Sequence, residues 1–424
     1  MTWRRPLTGV ERWHWLLDSA TVLNVVLIAR VHGRFDHSLL ARALEIVQFR
    51  YPHLRARIST DGPPAFVATD APVSVETRPW TSGAWRAAAV EQADTPVSAH
   101  EGPLMRVVLL EGDELADLIL TFSHAAADAR SGAIITDDVL RLHAGEARPA
   151  LRAPEVLDPP TDEMLGSRWA ALVAGRRNAR LTRRMQYLRP RQNMPTKHRS
   201  TGLIDAVLDA GSVEMLARRA RAHGTTVHGA LCASMLQSIR EEMRKYDGHP
   251  DVFLGCDTCV DLRRHTELRP AAVGNLLSHA ITGHRVHENT LLWDLAAEVS
   301  ESSRAAIRDG DVIALAQHRH AASRRTRAAA TLAARTEKAS RWTVTVANLG
   351  RLDFYERYGD LRLERLGFVE STSAATAGAL GVCAATTADY TTLNFTFAEQ
   401  FLGEERAQRI VADTLARLQE ATST

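Results

Sequence analysis

The sequence predicts a mixed α/β protein of two lobes, each about 200 residues long. Three observations predict it. Apolar, β-branched runs such as 22–31 and 115–122 alternate, in both halves of the chain, with stretches whose apolar residues recur at helical spacing. Between the halves lies a basic stretch punctuated by Pro149, Pro154, Pro159, Pro160, Pro190 and Pro195. The 424 residues, 45% hydrophobic and 24% charged, supply the apolar side chains for a large core. The expected division is a first lobe over 1–160, a basic connector over 161–200 and a second lobe over 201–424.

Each element has a local reason. Thr8 and Glu11 stand at capping-box spacing ahead of Trp13, Leu16 and Leu17, which opens a short helix. The run 22–31 follows as a buried strand, and Asp36 then N-caps a helix carried by Leu39, Leu40, Ala43, Leu44 and Val47. Tyr51, Pro52 and His53 turn the chain into short strand-like runs that end at Val75. A helix over 82–94 precedes the runs 104–110 and 115–122, which flank the hairpin sequence Glu111-Gly112-Asp113-Glu114. Past Phe122 the texture changes to Ser123-His124-Ala125-Ala126-Ala127-Asp128-Ala129, then to a helical pattern through Ile134, Ile135, Val139 and Leu142. A basic helix over 162–186 crosses the connector. The second half reads as a strand (203–208), two helices (212–223 and 227–246), a strand (252–260) and helical patterns over 291–307 and 313–338. Strands at 342–347, 380–386 and 391–397 and a helix over 404–418 complete it.

Several functions are disfavoured at once. Fifty-two Lys and Arg against fifty Asp and Glu leave a formal charge of +2, so no global field draws the chain to nucleic acid. Four cysteines are too few for a secreted disulfide scaffold, and with no signal-peptide pattern the expected location is cytoplasmic. The apolar run 22–29 is too short to span a membrane, and the charge-free stretch 371–388 is mostly Ala, Thr, Ser and Gly. No Walker A or Rossmann glycine pattern occurs. Cys256 and Cys259 sit three apart in a strand and so face opposite sides, with no second ligand pair at hand; no metal is expected. The pairs His318 with His320 and His284 with His287 also lack ligand partners and are expected to be solvated.

Histidine precedes aspartate by four residues three times, at His14 and Asp18, His32 and Asp36, and His124 and Asp128. His14 and Asp18 share a helix face, where a surface pair explains them. Asp36 is occupied as an N-cap. His124 differs, because it follows a strongly apolar strand and precedes three alanines and an acid, where a rigid strand gives way to a loop with room beside it.

The segment Ser123 to Ala129 resembles the HHxxxDG motif of the superfamily that joins chloramphenicol acetyltransferase, the condensation domains of nonribosomal peptide synthetases, plant BAHD acyltransferases and, nearest in character, the polyketide-associated acyltransferases. Other landmarks follow in the family's order. Val31-His32-Gly33-Arg34-Phe35-Asp36 through Tyr51-Pro52-His53-Leu54-Arg55 resembles the early strand, helix and "RHPxLR" turn. Val260-Asp261-Leu262-Arg263 with Gly274-Asn275 resembles "VDLR…GN", and Ala347-Asn348-Leu349-Gly350 resembles "SNxG". Ser123 replaces the first histidine of the motif and Ala129 its glycine.

The resemblance implies two chloramphenicol-acetyltransferase-like lobes forming a pseudo-dimer around a central tunnel, in a monomeric protein. It implies transfer of an acyl group from a coenzyme A or acyl-carrier-protein thioester to a hydroxyl or amine of a small natural-product acceptor, with no resident cofactor. His124 would be the general base, since an imidazole near neutral pKa can take the acceptor's proton. Asp128 would turn away from the substrate and pair with Arg263, bracing the loop. Asn348 would direct an amide at the acyl oxyanion or satisfy a turn, and Ser123 would bond the acceptor or act as a local cap. Ten cations and no acid lie between 165 and 204. Among them Arg176, Arg177, Arg180, Arg183 and Arg184 are either a solvated face or a dock for an acidic carrier protein or coenzyme A phosphates. Two other readings stay open: a catalytically degenerate protein that binds a carrier-bound intermediate or partner, motivated by Ser123 and Ala129, and a metal-dependent hydrolase built on histidines.

Overall fold

The computed structural model describes residues 3–146, 168–188, 199–248, 251–265, 272–326, 328–339, 343–372 and 380–423. Of the expected connector, the prolines from Pro149 to Pro160 and Pro190 and Pro195 lie outside the described residues.

The first half runs β1 (Arg4–Pro6), α1 (Gly9–Asp18), β2 (Asn24–His32), α2 (His37–Arg50), β3 (Ala56–Ser59), β4 (Ala65–Ala68), β5 (Val75–Pro79), α3 (Ala84–Asp94), β6 (Met105–Glu111), β7 (Leu115–Ser123) and α4 (Ala129–His143). The expected caps form. Thr8 accepts from Glu11 N while the Glu11 carboxylate accepts from Thr8 N, and Asp36 accepts from Ser38 N and Leu39 N. Helix α5 (Arg168–Arg184) follows, then β8 (Thr201–Asp209), α6 (Ala210–Ala222), α7 (Val227–Asp247), β9 (Val252–Asp261), β10 (Leu277–Val286), α8 (Leu292–Arg308), α9 (Asp311–Arg325) and α10 (Ala329–Ala339). The chain closes with β11 (Val344–Arg351), β12 (Arg357–Tyr358), β13 (Leu361–Glu370), β14 (Leu380–Thr386), β15 (Tyr390–Ala398), α11 (Glu399–Leu402) and α12 (Glu404–Ser423).

Two six-stranded mixed sheets carry the fold, in the orders β12-β13-β2-β7-β6-β5 and β10-β9-β11-β14-β15-β8. Helices α2 and α4 cover one face of the first sheet, with Leu40, Leu44, Ile135 and Val139 against Leu27, Leu118 and Leu120; α3 covers the other. The second sheet is covered by α7, α8 and α12. Gly132 lets α4 lie close to its sheet, since a Cβ there would come within 2.3 Å of Leu27 Cδ2.

The sheets do not follow the division at 160 and 201. Strands β12 and β13, from the far C-terminal part, complete the first sheet by pairing antiparallel with β2. This crossover joins the lobes. Asn394 Nδ2 and Thr392 Oγ1 of β15 donate to the backbone carbonyls of Phe368 (2.9 Å) and Leu366 (2.6 Å) on β13. Gly367 allows that approach, because a Cβ would stand 2.8 Å from Asn394 Nδ2. The single helical pattern expected over 313–338 is two helices. Strands β10 and β13 are additions to the sequence reading: the buried set of β10 is Ser278, Ala280, Thr282, His284 and Val286, too polar to be read as a core face.

Candidate active site

Strand β7 ends at Ser123, and His124 N donates to Leu23 O at 3.0 Å, tying the first loop residue to the neighbouring chain segment. Ala126 N and Ala127 N then return to Ser123 O, and the three alanines of the turn are buried. Asn275 holds His124 from the second lobe: its Nδ2 donates to His124 O at 2.6 Å and lies 3.4 Å from Nδ1. Asn275 belongs to the Gly274-Asn275 landmark, but nothing in the sequence assigned it this task.

Asp128 is the N-cap of α4 and faces away from the His124 side chain's cavity. Its carboxylate accepts from Ser131 N (2.7 Å), Leu276 N (2.8 Å) and both terminal nitrogens of Arg263 (3.0 and 3.2 Å). Arg263 in turn donates to Ala272 O, Ser131 Oγ and Asp261 Oδ1. Both residues are 4% exposed, so the pair expected from the resemblance is in place as a buried, fully bonded brace between the lobes. Burial pushes the Asp128 carboxyl up, but the Arg263 charge and these hydrogen bonds outweigh it and hold the group below the usual carboxylate range.

His124 lines a cavity of about 170 Å³ between the lobes, with Trp13, His14, Asp257, His279, Arg319 and Glu370 among its walls. Burial lowers the imidazole to about 4, opposed by the nearby Asp128, so the ring is neutral near pH 7. The sequence reading of His14 and Asp18 as a surface pair is overturned. His14 is 4% exposed, donates through Nδ1 to Val10 O (2.9 Å), and packs its ring 4.6 Å from that of His124. Burial, then the adjacent His124, hold its pKa well below the ordinary histidine value. The cover comes from α9 and α10, which pack on α1 from some 300 residues away in sequence. Asp18 accepts from Leu23 N, and burial raises it to about 7.

Ser123 neither contacts the cavity nor caps a helix. It is fully buried, and the cap of α4 is Asp128, so its expected role in binding the acceptor is not supported by its position. Asn348 Oδ1 accepts from Gly350 N at 2.8 Å, the turn-forming role, and the residue borders a smaller cavity of about 60 Å³ rather than that of His124. His284, expected to be solvated, is fully buried between Glu298 and Thr282. Cys256 enters the second core while Cys259, three residues on, borders the His124 cavity, as opposite strand faces require. Among the described residues no three His, Cys, Asp or Glu side chains are placed to share a metal ion, and no helix is long and apolar enough to cross a membrane.

On α5, Arg176, Arg177, Arg180, Arg183 and Arg184 are all exposed. Arg177 pairs with Asp311 and Arg184 lies 5.1 Å over the Phe253 ring, which fasten the helix to the second lobe. Arg176, Arg180 and Arg183 fall at helical spacing on one stripe with the exposed Trp169 and Val173. The inner side of α5, through Gly175, Asn178, Ala179 and Thr182, walls a cavity of about 400 Å³ that shares Trp13, Arg319 and Thr336 with the His124 cavity.

Comparison with known proteins fits this geometry. Residues 201–401 match the family described as phthiocerol/phthiodiolone dimycocerosyl transferase C-terminus. The solved condensation domain that opens the calcium-dependent antibiotic synthetase superposes with a TM-score of 0.69 at 17% identity, covering 99% of this chain and 97% of its own. The chain has the condensation-domain fold. Two further structures share that fold. A trichothecene 15-O-acetyltransferase from Fusarium sporotrichioides gives a TM-score of 0.76 at 14% identity, with 99% and 95% of the two chains covered. Polyketide synthase associated protein 5 from Mycobacterium tuberculosis gives 0.69 at 18% identity, with 99% and 98% covered. A linear gramicidin synthase polypeptide from Brevibacillus parabrevis is 23% identical over 294 residues, which is 62% of this chain but 4% of that much longer protein. The condensation-domain fold thus accounts for two sheet-bearing lobes meeting beside His124.

Proposed function

We propose that the protein transfers an acyl group from a thioester to a hydroxyl or amine acceptor, with His124 as the general base. The observation that carries this reading is a neutral imidazole on the wall of an inter-lobe cavity, with its backbone fastened to both lobes and its motif aspartate committed to Arg263. The ring bonds to the backbone of His124 and Ala127, which suits a proton on Nδ1 and would leave Nε2 unprotonated for a substrate. It would take the acceptor's proton as the heteroatom attacks the thioester carbonyl, and return it to the departing thiolate. Asp128 and Arg263 position the loop and touch no substrate.

The donor would be a coenzyme A or carrier-protein thioester, its arm entering through the 400 Å³ cavity beside α5. Arg319, Arg325 and Arg335 line that cavity and, among the described residues, no acid does, which suits a phosphate-bearing arm. The stripe of Trp169, Arg176, Arg180 and Arg183 outside it suits the surface of an acidic carrier. The experiment is kinetic. Changing Arg176, Arg180 and Arg183 together to glutamate should lower kcat/KM for an acyl carrier protein donor about 3- to 100-fold, less at high salt. Transfer from a small N-acetylcysteamine thioester should be unaffected. Equal loss with both donors would show that the stripe supports the fold instead.

A further inference from the structure

The cavity that contains His124 and the smaller one that contains Asn348 share four wall residues: Cys259, Leu277, Ala347 and Glu370. Glu370 is the one charged group of the four. It ends β13, opposite Val25 of β2, and alternation along the strand turns it to the same face as Phe368, towards the apolar side chains of the first core. Its carboxyl has no hydrogen bond and no ion pair among the described residues. The basic groups of the same cavity are engaged elsewhere: His279, held below the ordinary histidine value by burial, with Asp257 at 2.9 Å, and Arg319 over the Trp13 ring at 4.7 Å. Burial, then the neighbouring Asp257 and Asp128, push Glu370 up to about 7. A carboxylate in such surroundings is costly unless a bound group compensates it.

We propose that Glu370 recognises the acceptor, and that the acceptor is a primary amine arriving as its ammonium ion. This deepens, and for its chemical step rests on, the acyl-transfer reading above. An alcohol would offer one neutral hydrogen bond and leave the charge uncompensated, whereas an ammonium supplies both charge and several donors. In the transfer, the ammonium gives one proton to the Glu370 carboxylate. The freed amine nitrogen attacks the thioester carbonyl carbon, the C–N bond forms and the C–S bond breaks. The second N–H proton passes through His124 to the thiolate, and the proton on Glu370 leaves to solvent. The products are an amide, a thiol and one released proton.

The test separates binding from turnover by using benzylamine and benzyl alcohol, a matched pair, in calorimetric or NMR titrations of the full chain. Wild-type protein should bind benzylamine about tenfold or more tightly than benzyl alcohol. Glu370→Gln, nearly isosteric, should bring the two within about twofold, and Glu370→Asp should keep the preference for the amine. Equal binding of both probes by the wild type, or an undiminished amine preference in Glu370→Gln, would overturn the proposal. Thioester consumption is measured in parallel. An amine preference that depends on Glu370, without consumption of donor by any acceptor, would uphold the binding site and remove the acyl-transfer reading.

Discussion

Replacing His124 by alanine should reduce turnover of an N-acetylcysteamine thioester about 100- to 10,000-fold, the range expected when a general base is lost. The protein should stay folded. The bonds that fix this loop, His124 N to Leu23 O and His124 O to Asn275 Nδ2, are made by the backbone and survive the change. The ring borders an existing cavity, so its removal enlarges a space already present. The pH dependence follows from the low pKa: the neutral ring persists from pH 7 down towards about 4, and the base is lost only as pH falls through that value. A folded His124→Ala protein with near wild-type turnover would remove His124 from the mechanism.

The second large effect concerns stability. Asp128→Ala or Arg263→Met should each cost about 3–5 kcal/mol in denaturant unfolding, because either change leaves an uncompensated charge in a buried site. The double variant should cost clearly less than the sum, since the partners lose the same interaction. Activity should fall with stability in each single variant, as α4 and the loop before it lose their brace. The pH effect has a definite sign. Asp128 is held below its ordinary value of 3.8, so its stabilisation is complete at neutral pH and is lost as pH falls below that value through the lower folded one. Additive costs in the cycle would show that Asp128 and Arg263 act independently.

Much of this site is legible in the sequence because its signals are local. The Thr8 and Glu11 capping box, the Asp36 cap and the passage from an apolar strand into His124 and Asp128 each depend on residues a few positions apart. The Asp128 and Arg263 pair spans 135 residues, and only the ordered landmarks of a known superfamily bring it within reach of sequence reading. The burial of His14 is not legible in the sequence, because helical spacing shows which residues share a face of α1 but not that α9 and α10 cover it. β13 carries Arg362, Glu364 and Arg365, which mask its apolar residues, and its place beside β2 is a matter of topology. Glu370 went unnoticed for the same reason: it becomes singular only when β13, β9 and β11 meet around it.

Intact-protein and small-molecule mass spectrometry together test direct transfer within the His124 cavity. Wild-type protein, an acyl N-acetylcysteamine thioester and an amine or alcohol acceptor should yield one acylated acceptor for each thiol released. The same donor without acceptor should leave the protein at its unmodified mass, because direct transfer would form no covalent acyl-enzyme. An acyl group accumulating on the protein, at a cysteine or Ser123, or a donor left unconsumed with every acceptor, would contradict the account.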